Sequence, residues 1–341
     1  MPTFATGTIT EILAERPGLQ KVRVDLGGPG PERAYVLTQL TPPVSLEDRV
    51  VVNTTAVELG LGTGGWHFVH WNLSIDGWDS PGPGHIMKLR YTSLQADTGA
   101  AEEDHPEPLP EIGGTPVVAC GLHSQMACVA AAFAATAPGK RLAYVMTDGA
   151  ALPLALSDLV ADLVERDLLA GTVTCGHAFG GDLEAVSLAA ALPMARHLLG
   201  ADAVVVAMGP GVVGTGTKLG NTGTEVAAIL DTAAALHGDP ILCLRVSSGE
   251  QRDRHLGVSH HAITALELCR TTVTVPISDP DHAVALPVRH HPEPVEVPDM
   301  SRLLDAHGLR VTTMGRGPGE DPAFFAAAGA AGVTAARRTL P

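Results

Sequence analysis

The sequence predicts an α/β protein built of two parts in series. The first is a small N-terminal β-barrel of OB or SH3-like type. The second is a doubly wound, mostly parallel α/β sheet domain. Three observations carry this prediction. Residues 1–95 consist of short, evenly spaced β-prone runs punctuated by turn sequences. Residues 96–114 carry six acidic residues and no Lys or Arg, together with Pro106, Pro108 and Pro110, which reads as an extended linker. From Thr115 onward, apolar runs alternate with helical segments, the pattern of a parallel sheet covered on both faces.

In the first part the expected strands are Thr6–Leu13, Lys21–Leu26, Arg33–Leu37, Arg49–Ala56, His67–Trp71 and His85–Tyr91. Arg16-Pro-Gly, Gly27-Gly-Pro-Gly, Gly62-Thr-Gly-Gly and Pro81-Gly-Pro-Gly separate them. All three tryptophans, at 66, 71 and 78, fall here, as barrel core or rim or as a platform for stacking. In residues 115–341 the expected strands are Val117–Cys120, Leu142–Thr147, Thr172–Cys175, Ala203–Met208, Ile241–Val246, Thr271–Pro276 and Arg310–Met314. Helices are expected near 124–136, 156–169, 184–199, 224–237, 260–269, 299–307 and 321–332. The Pro- and His-rich stretch 279–298 reads as a surface loop.

Composition narrows the function classes. The formal charge is −15, which argues against nucleic-acid partners and against anionic membranes. No apolar run approaches the 18 residues of a membrane span, and the N-terminus lacks the pattern of a secretory leader. Five cysteines without a CxxC pair then read as reduced thiols of a cytoplasmic protein. Self-association as a homo-oligomer is left open.

The most informative stretch is Gly209-Pro-Gly-Val-Val-Gly-Thr-Gly-Thr217, directly behind the β-branched run Ala203–Met208. Strand, glycine loop and helix together make a potential anion site, because glycines admit a close ligand and free N–H groups point at it. Gly209, Gly211 and Gly214 satisfy G-x-G-x-x-G, but Thr215 to Asn221 intervene before a plausible helix start, unlike a dinucleotide loop. The expected contacts in this loop are Gly209, Gly211, Gly214, Thr215, Gly216 and Thr217. Right-handed crossovers bring the other strand ends to the same edge. There lie Cys120-Gly-Leu-His-Ser124, Thr147-Asp-Gly-Ala150, Cys175 to Asp182, Ser247 to His255 and Gly315 to Asp321.

Within these loops Cys120 with His123, and Cys175 with His177, suggest a thiolate nucleophile and its base, or a zinc or iron ligand set. Buried small residues at strand ends are the simpler reading. Asp148 and Asp182 are candidate acid–base groups or magnesium ligands, against roles as turn residue and helix cap. Arg252, Arg254 and His255 belong to a dense charged cluster with Glu250, Asp253, His260 and His261, suited to a carboxylate or phosphate. No residue set is assigned to a metal, and no cofactor is named. The partner expected is a small molecule, anionic or amino-acid-like, bound by an enzyme or a binding protein. The competing class is a noncatalytic module whose barrel docks a partner near Trp66 and Trp71.

The Cys120-Gly-Leu-His-Ser, Thr147-Asp-Gly-Ala and Gly209 to Thr217 signatures resemble those of an uncharacterised bacterial family, a domain of unknown function, over nearly the whole chain. Residues 203–237 also resemble component B of glycine, sarcosine and betaine reductases. That second resemblance implies selenocysteine and pyruvoyl chemistry, neither of which has a placed residue in this sequence.

Overall fold

Alternation of buried and outward residues closes the first barrel. In Leu19–Asp25, Val22 and Val24 are fully buried while Lys21 and Arg23 face outward, the period-2 pattern of a strand with one face in a core. The computed structural model describes residues 2–82, 86–105 and 107–341. It forms two compact units, residues 1–99 and 100–341. Met1, the His85 end of the sixth expected strand and Pro106 lie outside the described residues.

The first unit is a closed barrel of β1 (Phe4–Arg16), β2 (Leu19–Asp25), β3 (Glu32–Leu37), β4 (Arg49–Asn53) and β5 (Trp66–Asn72), in the order β1-β2-β3-β5-β4. Two register irregularities let the 13-residue β1 coil far enough to pair with both β2 and β4. Gly7 sits where a Cβ would lie 2.6 Å from the Asp25 carbonyl oxygen, so the crossing requires glycine. Ile9, Val22, Val24, Ala34, Val36, Val50 and Val52 fill the interior. No tryptophan is in that core. Trp66 stacks on Tyr35 at 4.5 Å on the outside, and Trp71 meets Trp78 edge-on at 6.4 Å. The sixth expected strand shrinks to Met87–Lys88, paired with Ala96–Asp97.

The second unit holds an eight-stranded, all-parallel sheet. Its strands are β6 (Pro116–Cys120), β7 (Leu142–Thr147), β8 (Thr172–Thr174), β9 (Leu183–Glu184), β10 (Ala203–Met208), β11 (Asp239–Cys243), β12 (Thr274–Ile277) and β13 (His291–Pro294). They run in the order β9-β8-β7-β10-β6-β11-β12-β13. Every residue of β6, β7, β8 and β10 is buried, as strands covered on both faces require. Helices α1 (Gln125–Thr136), α2 (Asp158–Glu165), α6 (Met300–Ala306) and α7 (Pro322–Arg338) bury their apolar residues on one face. Helices α3 (Leu188–His197), α4 (Glu225–Ala235) and α5 (His260–Leu268) do so on the other.

Three expectations are revised. Arg310–Met314 alternates buried and exposed residues like a strand, yet makes only one isolated bridge, Thr313 to Arg316. The last sheet strand is instead β13, inside the stretch expected to loop. It lies at the sheet edge, where Pro292 and Pro294 leave no ladder donor missing, while His291 and Val295 donate to Val273 and Ile277 carbonyls. The acidic stretch is also no free tether: Ile112 is 1% exposed, and His197 Nε2 bonds the Pro110 carbonyl at 3.0 Å.

Candidate functional site at the carboxyl edge

Parallel pairing sets the level at which the loops leave the sheet. Met208 pairs with Thr147, and Cys120 pairs with both Ala207 and Cys243, so the loops after β6, β7, β10 and β11 start side by side. The chain leaves β6 toward α1 on one face, while its neighbours β10 and β11 lead to α4 and α5 on the other. Such reversals open crevices outside the strand ends, where open α/β sheets bind ligands.

The glycine loop is shaped by close approach. At Gly209 a Cβ would be driven into the Ala151 carbonyl oxygen, and Gly211 and Gly216 have φ of +101° and +86°. The loop folds back on itself: Thr215 N donates to Gly220 O at 2.7 Å, and Val213 N to Thr222 Oγ1 at 3.2 Å. Thr215 and Thr217 bond each other through their hydroxyls at 2.9 Å, so both serve the loop's own structure. A 3-10 turn, Thr222–Thr224, precedes α4, and Gly214 therefore lies well before the helix start. This is not the dinucleotide arrangement, in which the third glycine opens the helix.

One side of this loop is basic. The Arg254 guanidinium carbon lies 3.6 Å from where a Gly216 Cβ would stand. Arg254 is exposed and has no ion pair among the described residues. Arg252 is engaged differently: its Nη2 and Nε reach the Glu250 carboxylate at 2.6 and 3.1 Å. The Arg252 hydrogen bonds hold the Glu250 carboxyl down at about 2, against burial. Arg316 links Glu250 to Asp321, and Ser247 Oγ and Ser248 N donate to the Asp321 carboxylate at 2.5 and 2.7 Å. The Gly315 to Asp321 loop thus braces the arginine loop from behind. Burial and neighbouring guanidinium groups lower Arg245 to about 10, still charged at neutral pH. Arg245 lines a small cleft with Gly121, Gly223, Cys243 and His261. His255 is buried and bonds Ser259 Oγ at 2.7 Å; burial and Arg245 hold it down at about 3.

The other side is acidic. Thr147 Oγ1 donates to Glu225 Oε1 at 2.7 Å, and His177 N donates to Asp148 Oδ2 at 2.9 Å. The backbone runs close under both carboxylates: a Cβ at Gly149 would lie 2.5 Å from Glu225 Oε2, and Gly176, at φ +65°, packs against the Asp148 carboxylate. Burial, opposed by the Thr147 hydrogen bond and aided by the Asp148 charge, raises Glu225 to about 7. Between the halves, His123 Nδ1 donates to the Met208 carbonyl at 3.1 Å, and its Nε2 meets Ser157 Oγ at 2.7 Å.

The structure therefore brings the glycine loop, Arg254, Asp148, His123 and His177 to one edge. It turns the Cys120 side chain into the apolar core below α1, and Cys175 donates weakly to the Met146 carbonyl at 3.6 Å. Asp182 caps no helix: its carboxylate accepts from Thr172 N and Oγ1, while Ser187 caps α3. Sequence reasoning passed over Glu225 and Arg245. Glu225 looks like an ordinary acidic residue in a first helical turn. Arg245 carried a usable signal, a charge interrupting the apolar run Ile241 to Val246.

Among the described residues no helix is long and apolar enough to cross a membrane. No curated protein and no solved structure matches the chain, so the likeness of 203–237 to component B of the reductases finds no support there. The signature loops that converge on the carboxyl edge all lie inside residues 33–332, the span that matches a family described as Protein of unknown function (DUF3866), and the chain belongs to that family.

Proposed function

We propose that the α/β unit binds a small anion, a carboxylate or phosphate, at its carboxyl edge between the glycine loop and Arg254. The observation that carries this reading is the Arg254 guanidinium placed against Gly216 without an ion-pair partner among the described residues. Arg245 and His261 line the adjoining cleft. An unpaired guanidinium beside backbone that lacks side chains is suited to bidentate recognition of planar or tetrahedral oxyanions. Crevice walls of low polarity focus this local positive charge despite the acidic surface.

The Asp148–Glu225 pair across the loop favours a narrower reading, an amino-acid-like ligand whose ammonium group meets the carboxylates. The resemblance of 203–237 to component B covers β10, the glycine loop and α4; it adds no placed pyruvoyl or selenocysteine group to this reading.

Calorimetric titration of inorganic phosphate, simple carboxylates and α-amino acids tests both. Arg254→Ala is expected to weaken the best anion by about 10- to 150-fold, the loss of a charge-assisted hydrogen bond of about 1.5–3 kcal/mol. Arg252→Ala is expected to do less, because Arg252 is held by Glu250. Unchanged affinity in Arg254→Ala overturns the anion site. Equal affinity for an amino acid and its deaminated carboxylate overturns the narrower reading.

A further inference from the structure

We propose that His255, His260 and His261 form a binding site for a divalent late transition-metal ion of the zinc class, held through three imidazole nitrogens. One ligating nitrogen of each lies within 4.8 Å of the other two. The ring centroids are 4.9, 4.6 and 4.4 Å apart. Two short elements produce this convergence. A 3-10 turn, Asp253–His255, delivers the first ring, and Ser259 caps α5 so that its first two residues present the others.

His260 Nε2 is buried and makes no hydrogen bond to the described residues. A buried polar atom left so is costly, and a metal bond would satisfy it. Ser259 Oγ, 2.7 Å from His255 Nδ1, is positioned to accept that N–H and leave Nε2 as the ligating atom, the usual outer partner of a metal-bound histidine. His261 takes part by exchanging its long 3.3 Å contact with Arg245 Nη1 for the metal.

Burial, with Arg245 and Arg254, keeps the trio neutral and thus in the ligating form: His255 at about 3, His261 at about 4, His260 lowered. The chemistry of the set selects the ion. With no carboxylate among the ligands, magnesium and calcium are disfavoured, whereas three imidazoles suit zinc, cobalt, nickel or copper. The guanidinium groups of Arg245, Arg252 and Arg254 oppose any bare cation here. The ion must therefore gain from directed metal–nitrogen bonds, and its remaining position favours an anionic ligand. This proposal does not rest on the anion reading, since the metal alone is the probe.

The experiment titrates metal-stripped full-length protein with cobalt(II) and follows its visible ligand-field absorption, with zinc as displacing ion. One equivalent per chain is expected, and His255→Ala or His260→Ala should weaken it by more than the roughly 10- to 100-fold typical of losing an outer-shell partner. His237→Ala, an exposed histidine outside the trio, should leave it unchanged. X-ray absorption of zinc-loaded wild-type protein should show three imidazole ligands at about 2.0–2.1 Å, a reading that needs no variant to fold. Absence of saturable one-to-one binding, or binding that survives both substitutions, overturns the site. Arg254→Ala separates the two proposals: it should weaken phosphate or carboxylate binding without weakening cobalt.

Discussion

Replacing Glu225 by glutamine should change how stability depends on pH. The carboxyl group ionises at about 7 in the fold rather than at 4.5, chiefly because burial penalises its charge. Below pH 4.5 the group is protonated in both folded and unfolded chains, and Glu225 costs the fold nothing. Between 4.5 and about 7 the unfolded chain loses the proton while the fold retains it, so stability falls with rising pH. Above about 7 the loss is complete. At about 1.4 kcal/mol for each unit of pH, its upper bound is about 3.5 kcal/mol. Glutamine keeps an acceptor for Thr147 Oγ1 and cannot ionise. Glu225→Gln should therefore gain on the wild type by about 1–3 kcal/mol between about pH 5 and pH 8. Urea unfolding followed by helical circular dichroism reports the second unit, which contains α1 to α7. The depressed histidines 123, 255, 260 and 261 destabilise the fold toward acid in both proteins, so they cancel in the difference. A difference that stays flat across this range would refute the protonated Glu225 and, with it, the acidic half of the site as described.

Gly332→Ala should destabilise the second unit, because the new Cβ is driven into the Val129 carbonyl oxygen and lies 3.0 Å from Ala132 Cβ across the α1–α7 contact. Overpacking costs about 1–3 kcal/mol, partly offset by about 1 kcal/mol of helix propensity, so a lowered thermal midpoint is expected and a raised one contradicts the packing. All five cysteines are buried and free, so Ellman titration should find five thiols after denaturation without reductant, and slow reaction before it. A stable value of one or three would show bridges that this fold does not contain.

How much was legible depended on which physical signal each element carried. β10 reads as a buried strand because Val204, Val205 and Val206 are β-branched and end at a glycine loop. Arg310–Met314 has the same right to be called a strand by alternation, since Leu309, Val311 and Thr313 are buried and the residues between are exposed. It lacks a partner edge, and Met314 turns at φ +50°. Pairing is a property of the whole sheet, which a local pattern does not contain. β13 is the converse case, where prolines hide a strand that only an edge position permits. In the site, glycine spacing marked the loop because steric need is written in the residue type. The roles of Arg252 and Arg254 were indistinguishable in sequence, and only Glu250 separates them. The Asp148–Glu225 pair joins the loop after β7 to the first residue of α4 and shows no local sign.

The His123–Ser157 pair offers a final test, since its geometry imitates a nucleophile and its base. His123 Nδ1 faces the Met208 carbonyl, which only accepts, so Nδ1 carries the proton and Nε2 receives the Ser157 hydroxyl. Two facts argue that this is a structural clasp. Ser157 is 4% exposed, and its oxygen also accepts from Val160 N as the cap of α2. Burial lowers His123 to about 4, which makes it a weak base toward a hydroxyl at neutral pH. Ser157→Ala should then lose the cap and leave His123 Nε2 without its partner, together about 2–4 kcal/mol. Ser157→Thr, which keeps the hydroxyl, should recover most of it. Neither change should alter phosphate or carboxylate affinity, because Ser157 joins α2 to the β6 loop rather than facing Arg254. Labelling of native wild-type protein at Ser157 by a fluorophosphonate would refute the clasp, for it requires an accessible oxygen and an effective base.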